Sequence, residues 1–461
     1  MSGADRRARR LYSVLWWLAL PLALARLLWR GRVQPGYRHR LGERLASRRS
    51  HTPRADIWIH AVSVGEVQAA EALLRQLLAT TPAPSLLVTT TTPTGAERLR
   101  TLFGETIPQR YLPFDLPVMM GRLVDAVQPK LVIILETEIW PNLLAVLEQR
   151  AIPVALINAR LSERSARGYA RLGSLTRSAL ARLTLIAAQA TADAERFIAL
   201  GAPPERVIVT GNLKFDQPQA ADLAARAAAI RQNWGAARPV WIAASTHAGE
   251  ELPVLEAHQQ VLAQWPDALL VLVPRHPERF ETVAALIERQ GLAYTRHSAE
   301  RPVAAHEAVY LGDRMGELPL WLAASDVAFI GGSLMPTGGH NPLEAAASGV
   351  PILVGPHTFN FATISAWLLD AHAARRISDT ATLSDAVRTL LASSERRAEM
   401  GARGRAVVAA QRGALQRVFI ALAPWLAAAV QAPLNSDQTS RNCASVESPS
   451  HSNPTDSVQT T

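Results

Sequence analysis

The sequence predicts two tandem α/β domains, each a parallel sheet covered by helices on both faces, with a cleft between them. Three observations predict this. Short apolar runs alternate with helical stretches in two successive series, and several of the runs end in glycine-containing or acidic turns. A chain of 461 residues with 48% apolar composition also suffices for two or three full-sized cores.

In chain order, residues 1–54 come first, as a basic flank around an apolar run. Residues 11–25 contain Trp16, Trp17 and Pro21 and no charge, with Arg6, Arg7, Arg9 and Arg10 before them and Arg26, Arg30 and Arg32 after. A helix of that length reaches roughly 22 Å, short of a hydrocarbon core of about 30 Å. It spans only if Leu27, Leu28 and Trp29 extend it while Arg26 snorkels; arginines on both sides suit anionic headgroups in either a spanning or an interfacial pose. No small-residue cleavage site follows, so the run reads as a retained anchor rather than a signal peptide.

Residues 55–216 read as the first α/β domain, with strands at 56–61, 85–91, 131–137, 152–159 and 183–188 and helices such as 66–78 and 141–150. Residues 217–235 form a linker whose Ala/Arg-rich part, 219–233, is helical in pattern. The second domain, 236–432, has strands at 240–244, 268–273, 308–311, 326–330 and 351–354. Its apolar end, 421–430, is interrupted by Pro424, too short to cross a bilayer and expected to pack on the body. Residues 433–461, dominated by Ser, Thr, Asn and Gln, are expected to be disordered.

The net charge is +9, but residues 1–54 hold 13 arginines against Asp5 and Glu43, and the rest of the chain is slightly acidic. An excess confined to the end that carries the apolar run points to a membrane surface, not to nucleic acid. The single cysteine, Cys443, lies in the polar tail, which excludes a disulfide framework or cysteine metal site and points to a reducing compartment.

Open α/β sheets bind ligands at the carboxyl ends of their strands, and the chemistry-bearing segments fall there. Gly338-Gly-His-Asn-Pro-Leu-Glu344 follows a strand and opens an Ala-rich helix, with Asn341 as cap and then Pro342. Glycines let N–H groups converge, a helix start suits a phosphate oxygen, and Glu344 can accept hydrogen bonds from vicinal ribose hydroxyls. An ordinary strand-to-helix turn with a capping box has the same pattern.

In His60-Ala-Val-Ser-Val-Gly-Glu66, Glu66 opens a helix whose start is expected to keep it ionised and able to accept a proton; a stabilising first-turn acid is the plainer role. In Leu135-Glu-Thr-Glu-Ile-Trp-Pro-Asn142, strand alternation puts Glu136 and Glu138 on one side. Only two of the 48 basic residues are lysine, Lys130 and Lys214, so a compact ammonium is expected to matter in Thr210-Gly-Asn-Leu-Lys-Phe-Asp216. In the second domain, Ser245, Thr246, Arg275 and His276 follow strands and can meet a phosphate, whereas a lone His247 or His276 reads more simply as a turn residue. The chain has no Gly-x-Gly-x-x-Gly, no Walker lysine loop, no His-Glu-x-x-His and no Asp-x-Asp pair for a metal on a sugar diphosphate. A leaving group with one phosphate needs less help.

Together, segments 60–66, 136–142, 211–216, 274–279, 312–318 and 339–344 resemble, in this order, the 3-deoxy-D-manno-octulosonic acid (Kdo) transferases of lipid A assembly. Arg314 stands where that family more often has a small polar residue. The resemblance implies a GT-B fold: two Rossmann-like domains facing a central cleft, with an amino-terminal membrane-anchoring helix. It implies Glu66 as proton acceptor, with Glu136 and Lys214 supporting the transition state. The donor CMP-Kdo would contact Pro274, Arg275, Met315, Gly316, Glu317, Asn341, Pro342, Leu343 and Glu344, and the acceptor, a lipid A precursor, would meet the first domain. The implied partners are these substrates and the cytoplasmic side of the inner membrane, with no metal, cofactor or nucleic acid. A UDP-sugar transferase or epimerase of the same fold, and a membrane-tethered scaffold, are the alternatives.

Overall fold

The computed structural model describes residues 3–47, 51–216 and 222–431; the expected tail at 433–461 and Cys443 lie outside the described residues. Two seven-stranded sheets are built from β1 (Ile57–His60), β2 (Leu86–Thr90), β3 (Gln109–Tyr111), β4 (Leu131–Leu135), β5 (Val154–Ala159), β6 (Leu185–Ala188) and β7 (Val207–Val209), then β8 (Val240–Thr246), β9 (Leu269–Pro274), β10 (Tyr294–Arg296), β11 (Val309–Leu311), β12 (Val327–Ile330), β13 (Ile352–Val354) and β14 (Ala374–Arg376). All neighbours are parallel, in the orders β3-β2-β1-β4-β5-β6-β7 and β10-β11-β9-β8-β12-β13-β14. With helices on both sides, the inner strands bury both faces, whereas edge strands such as β7 and β14 are partly exposed. In the first sheet, Ile57, Ile59, Leu131 and Ile133 join one core, and Trp58, Val132 and Ile134 the other. Trp241, Ala243 and Phe329 lie opposite Val240, Ile242 and Ala328 in the second.

Both sheets follow one plan. The first strand of each is central, and the chain later crosses to its other side, so β1 parts from β4 and β8 from β12 at their carboxyl ends. These two switch points are where an open sheet leaves a crevice.

The amino-terminal helix, Gly3–Val33, is 31 residues long and runs through Pro21, well beyond the apolar run that the sequence marked. Tyr12 donates to Asp115 Oδ2 at 3.0 Å and Ser13 Oγ to Asn142 Oδ1 at 3.0 Å, while Trp16 and Leu20 pack beside Leu116 and Met119. Its other face leaves Leu11, Val14, Leu15, Leu18 and Leu22 exposed.

The last described helix, Ala414–Gln431, returns to the first sheet, where Val418, Leu422 and Ala429 enter its core. Both ends are tied. Asp216 accepts from the N–H groups of Gly413 (2.8 Å) and Leu415 (2.6 Å), and Lys130 donates to the Ala429 carbonyl at 2.9 Å while pairing with Asp56 at 2.8 Å. Asp216 therefore serves as a helix cap supplied from another part of the chain, and Asp216→Ala should cost about 1–2 kcal/mol. A lower melting temperature, partly restored by Asp216→Asn, is the expected result; an unchanged one would show that packing alone holds this helix.

Candidate active site

At the first switch point, β1 ends in His60 and the chain turns into the helix Val64–Leu78. Glu66, in its first turn, is only 7% exposed. One carboxyl oxygen accepts from the Val62 N–H at 2.7 Å and the other from Ser63 Oγ at 3.3 Å. Burial, reinforced by the charges of Glu136 and Glu138, pushes its pKa up to about 8. The expectation that the helix start keeps Glu66 ionised is thus corrected: loss of water outweighs the favourable dipole and the Val62 hydrogen bond.

The loop after β4 faces this carboxyl. Glu136 takes φ 57°, a left-handed conformation, and donates its N–H to the Ile157 carbonyl at 3.0 Å. The strand has already ended at Leu135, so alternation does not govern Glu136 and Glu138; a backbone turn brings both acids toward Glu66. Glu138 is itself pushed up to about 7 by burial and by Glu136. Lys214 Nζ pairs with Glu136 Oε1 at 3.3 Å. Its turn, Leu213–Asp216, is fixed by Asn158 Oδ1 on Leu213 N (3.0 Å) and Asn212 Oδ1 on Lys214 N (2.9 Å). Glu66, Glu136 and Lys214 are therefore brought together, with Glu138, which the sequence paired with Glu136, as a fourth member.

At the second switch point, Gly331 passes so close to β8 that a Cβ there would lie 2.5 Å from the Ser245 carbonyl oxygen, which requires glycine. The buried Glu250 carboxylate laces the two loops together, accepting from the N–H groups of His247 (2.9 Å), Gly332 (2.6 Å) and Leu334 (2.9 Å). Pro274 ends β9, and Arg275 N donates to the Thr246 carbonyl at 3.0 Å, which sets the Arg275 side chain beside this crevice. His247 Nε2 and His340 Nε2 lie 2.7 Å apart, and the His276 ring stands edge-on to His247 at 5.2 Å. Loops after three different strands thus gather His247 and His276, each read singly from the sequence, with His340 into one group.

The glycine loop differs in detail from expectation. The helix it opens, Leu343–Ser348, has six residues, starts after Pro342 and stops at Gly349 with φ 73°. Asn341 Oδ1 still accepts from Leu343 N at 3.1 Å. The Leu343 side chain is in the core, so only its backbone can meet a ligand. Glu344 is raised by burial and lowered by Arg98, a residue of the helix Pro93–Phe103 in the first lobe, so the two lobes meet electrostatically here. Met315 is exposed, Gly316 has φ 95°, and Glu317 pairs with Arg226 at 3.2 Å; this loop follows β11, two strands from β8. Among the described residues no group of three or more His, Cys, Asp or Glu side chains is arranged to hold a metal ion. A cavity of about 440 Å³ lined by Glu43, Arg110, Arg122 and Asp125 lies apart from both switch points.

Because Glu66 holds its proton more tightly in the fold than in an unfolded chain, it favours folding below the ordinary carboxylate range and opposes it increasingly as pH rises to about 8. Glu66→Gln should therefore gain melting temperature over the parent protein, with the gain growing between about pH 5 and 8 and level above. A gain independent of pH would contradict the raised proton affinity.

A family model described as 3-deoxy-D-manno-octulosonic-acid transferase (kdotransferase) matches residues 39–217. A 3-deoxy-D-manno-octulosonic acid transferase of Haemophilus influenzae is 43% identical over 421 residues, 91% of this chain and 99% of its own length. One from Bordetella pertussis is 41% identical over 385 residues, covering 81% and 88%. Among solved structures, a UDP-GlcNAc 2-epimerase from Neisseria meningitidis bound to UDP-GlcNAc shares the fold, with TM-score 0.57 at 14% identity over 81% of this chain and 100% of that one.

Proposed function

The chain belongs to the Kdo transferases, glycosyltransferases of GT-B fold, and from that premise we propose that it moves Kdo from CMP-Kdo to a lipid A precursor (lipid IVA), releasing CMP. The observation that carries this reading is Glu66, a nearly buried carboxyl at the first switch point whose proton affinity is raised to about 8. A base of that strength is better matched to a sugar hydroxyl than an ordinary glutamate of pKa about 4.3. The hydroxyl remains the weaker acid, so its proton reaches Glu66 late, as the hydroxyl oxygen bonds to the anomeric carbon.

On the donor side, the bond from that carbon to the phosphate breaks, and its electron pair goes to the phosphate oxygen. The phosphate passes from a diester with one negative charge toward a monoester with nearly two. Arg275 and the N–H groups of the glycine loop then bind the transition state more strongly than the substrate. Glu136, held by Lys214, offsets positive charge on the anomeric carbon. Attack opposite the leaving group gives inversion in a single displacement. In this reading Pro274, Met315, Gly316, Glu317, Asn341, Pro342, Leu343 and Glu344 surround the cytidine and ribose.

The helix Gly3–Val33 is long and apolar enough to cross a membrane. Its polar ties through Tyr12 and Ser13 to the first lobe favour a different placement, along the lobe with the Leu11, Leu15, Leu18 and Leu22 face in the bilayer. The acceptor lipid and the enzyme then share one surface, the cytoplasmic side of the inner membrane.

Incubation with CMP-Kdo and tetraacylated lipid A precursor, followed by mass spectrometry, should give an acceptor heavier by Kdo. Glu66→Ala should abolish that product while keeping the rise in melting temperature given by CMP; retained transfer or lost CMP binding would refute the assignment. UDP should give a smaller rise than CMP, and the reverse would favour a UDP-sugar substrate. The rate should climb with pH along a limb set by Glu66, and Glu138→Gln should move that limb to lower pH by removing a like charge. A limb that stays in place would detach Glu138 from the base.

A further inference from the structure

We propose that His247 and His340 form a proton-sharing pair that takes up an additional proton when the phosphate of the donor, or of the released nucleotide, settles beside Arg275. This rests on the donor reading above. The two Nε2 atoms are 2.7 Å apart, the ring planes lie within 8° of each other, and the centroids are 4.9 Å apart. Parallel rings with that N···N contact and that centroid separation meet edge to edge in line, not face to face. One Nε2 must therefore carry a hydrogen and the other a lone pair. The donating ring keeps a lone pair on its Nδ1, and the accepting ring has its own hydrogen on Nδ1, so an additional proton can be added to the donating ring without breaking the shared bond.

The surroundings hold the empty pair neutral. His340 is pushed down to about 4 by burial first, then by His247, Arg275 and His276. His247 is lowered by burial and by His276, Arg275 and Arg279, against which Glu250 pulls the other way. Glu250 offsets part of this positive charge, while its carboxylate also accepts from three backbone N–H groups. Glu278, 3.9 Å from His276, is the other acid on the loop after β9. Arg279 is paired with the buried Glu251 at 2.9 Å, which leaves Arg275 and three imidazoles around the β8–β12 crevice, a site suited to an anion. An opposite charge within about 4–6 Å moves a pKa by roughly 1–3 units, so a bound phosphate makes the additional proton favourable near neutral pH. The pair then gains positive charge as the phosphate gains negative charge on leaving, which Arg275, always charged, cannot do.

Calorimetric titration of the full chain with CMP, in two buffers of different ionisation heat at about pH 7, measures protons taken up on binding. A nucleotide phosphate is largely dianionic there, with a second pKa of about 6. The expected result is net uptake of roughly 0.3–1 proton per CMP, absent with cytidine, and lost in both His247→Asn and His340→Asn. Nitrogen-15 shifts of the imidazoles in the unaltered protein should move toward imidazolium when CMP is added, which guards against variants that misfold. CMP binding without uptake, or uptake undiminished in the variants, would overturn the pair's role and leave the donor reading standing. Failure of CMP to bind at all would sink both.

Discussion

Three glutamates converge where β1 and β4 part, and burial there, reinforced by repulsion among their charges, sets the proton affinity of Glu66. Glu66 can be nearly buried only because its oxygens find Val62 N–H and Ser63 Oγ, and its proton is held by that burial first and then by Glu136 and Glu138 in the same crevice. Lys214 relieves one of the three charges. The cluster is then an acid–base system poised near neutrality rather than a patch of ionised surface. Its position follows from topology alone, since the switch point leaves no neighbouring strand to cover the two loops.

Most of the architecture was legible because buried parallel strands must be apolar on both faces, so ten strands read as unbroken runs. The four that were not read, β3, β7, β10 and β14, are the edges of the two sheets, three residues each. An edge strand has one neighbour, and three of these carry polar or charged residues, such as Gln109-Arg110-Tyr111 and Ala374-Arg375-Arg376. Their pairing comes from backbone bonds that leave no hydropathy pattern.

Site residues were legible as motifs at strand ends, but not their mutual geometry. Nothing local signals that Glu136 adopts a left-handed turn, or that His247 meets His340, 93 residues away. The balance of opposing effects at Glu66 was equally hidden. A helix start can be read from sequence, whereas depth of burial depends on what the rest of the chain places above it. Scarcity proved informative for the lysines. Lys214 meets Glu136, and Lys130 bridges Asp56 and the end of the helix Ala414–Gln431, each a single compact charge where a guanidinium fork would need more room.

The docking of the amino-terminal helix on the first lobe extends to the candidate site. Asp115, pushed up to about 6 by burial, accepts from Tyr12 and from the N–H groups of Asn142 and Leu143, which begin the helix directly behind the Glu136–Glu138 loop. Trimming residues 1–33 to make a water-soluble enzyme would remove the phenol from that carboxyl and the serine from Asn142. A truncated preparation would therefore carry a slackened Glu136–Glu138 loop, and its turnover would understate that of the intact chain.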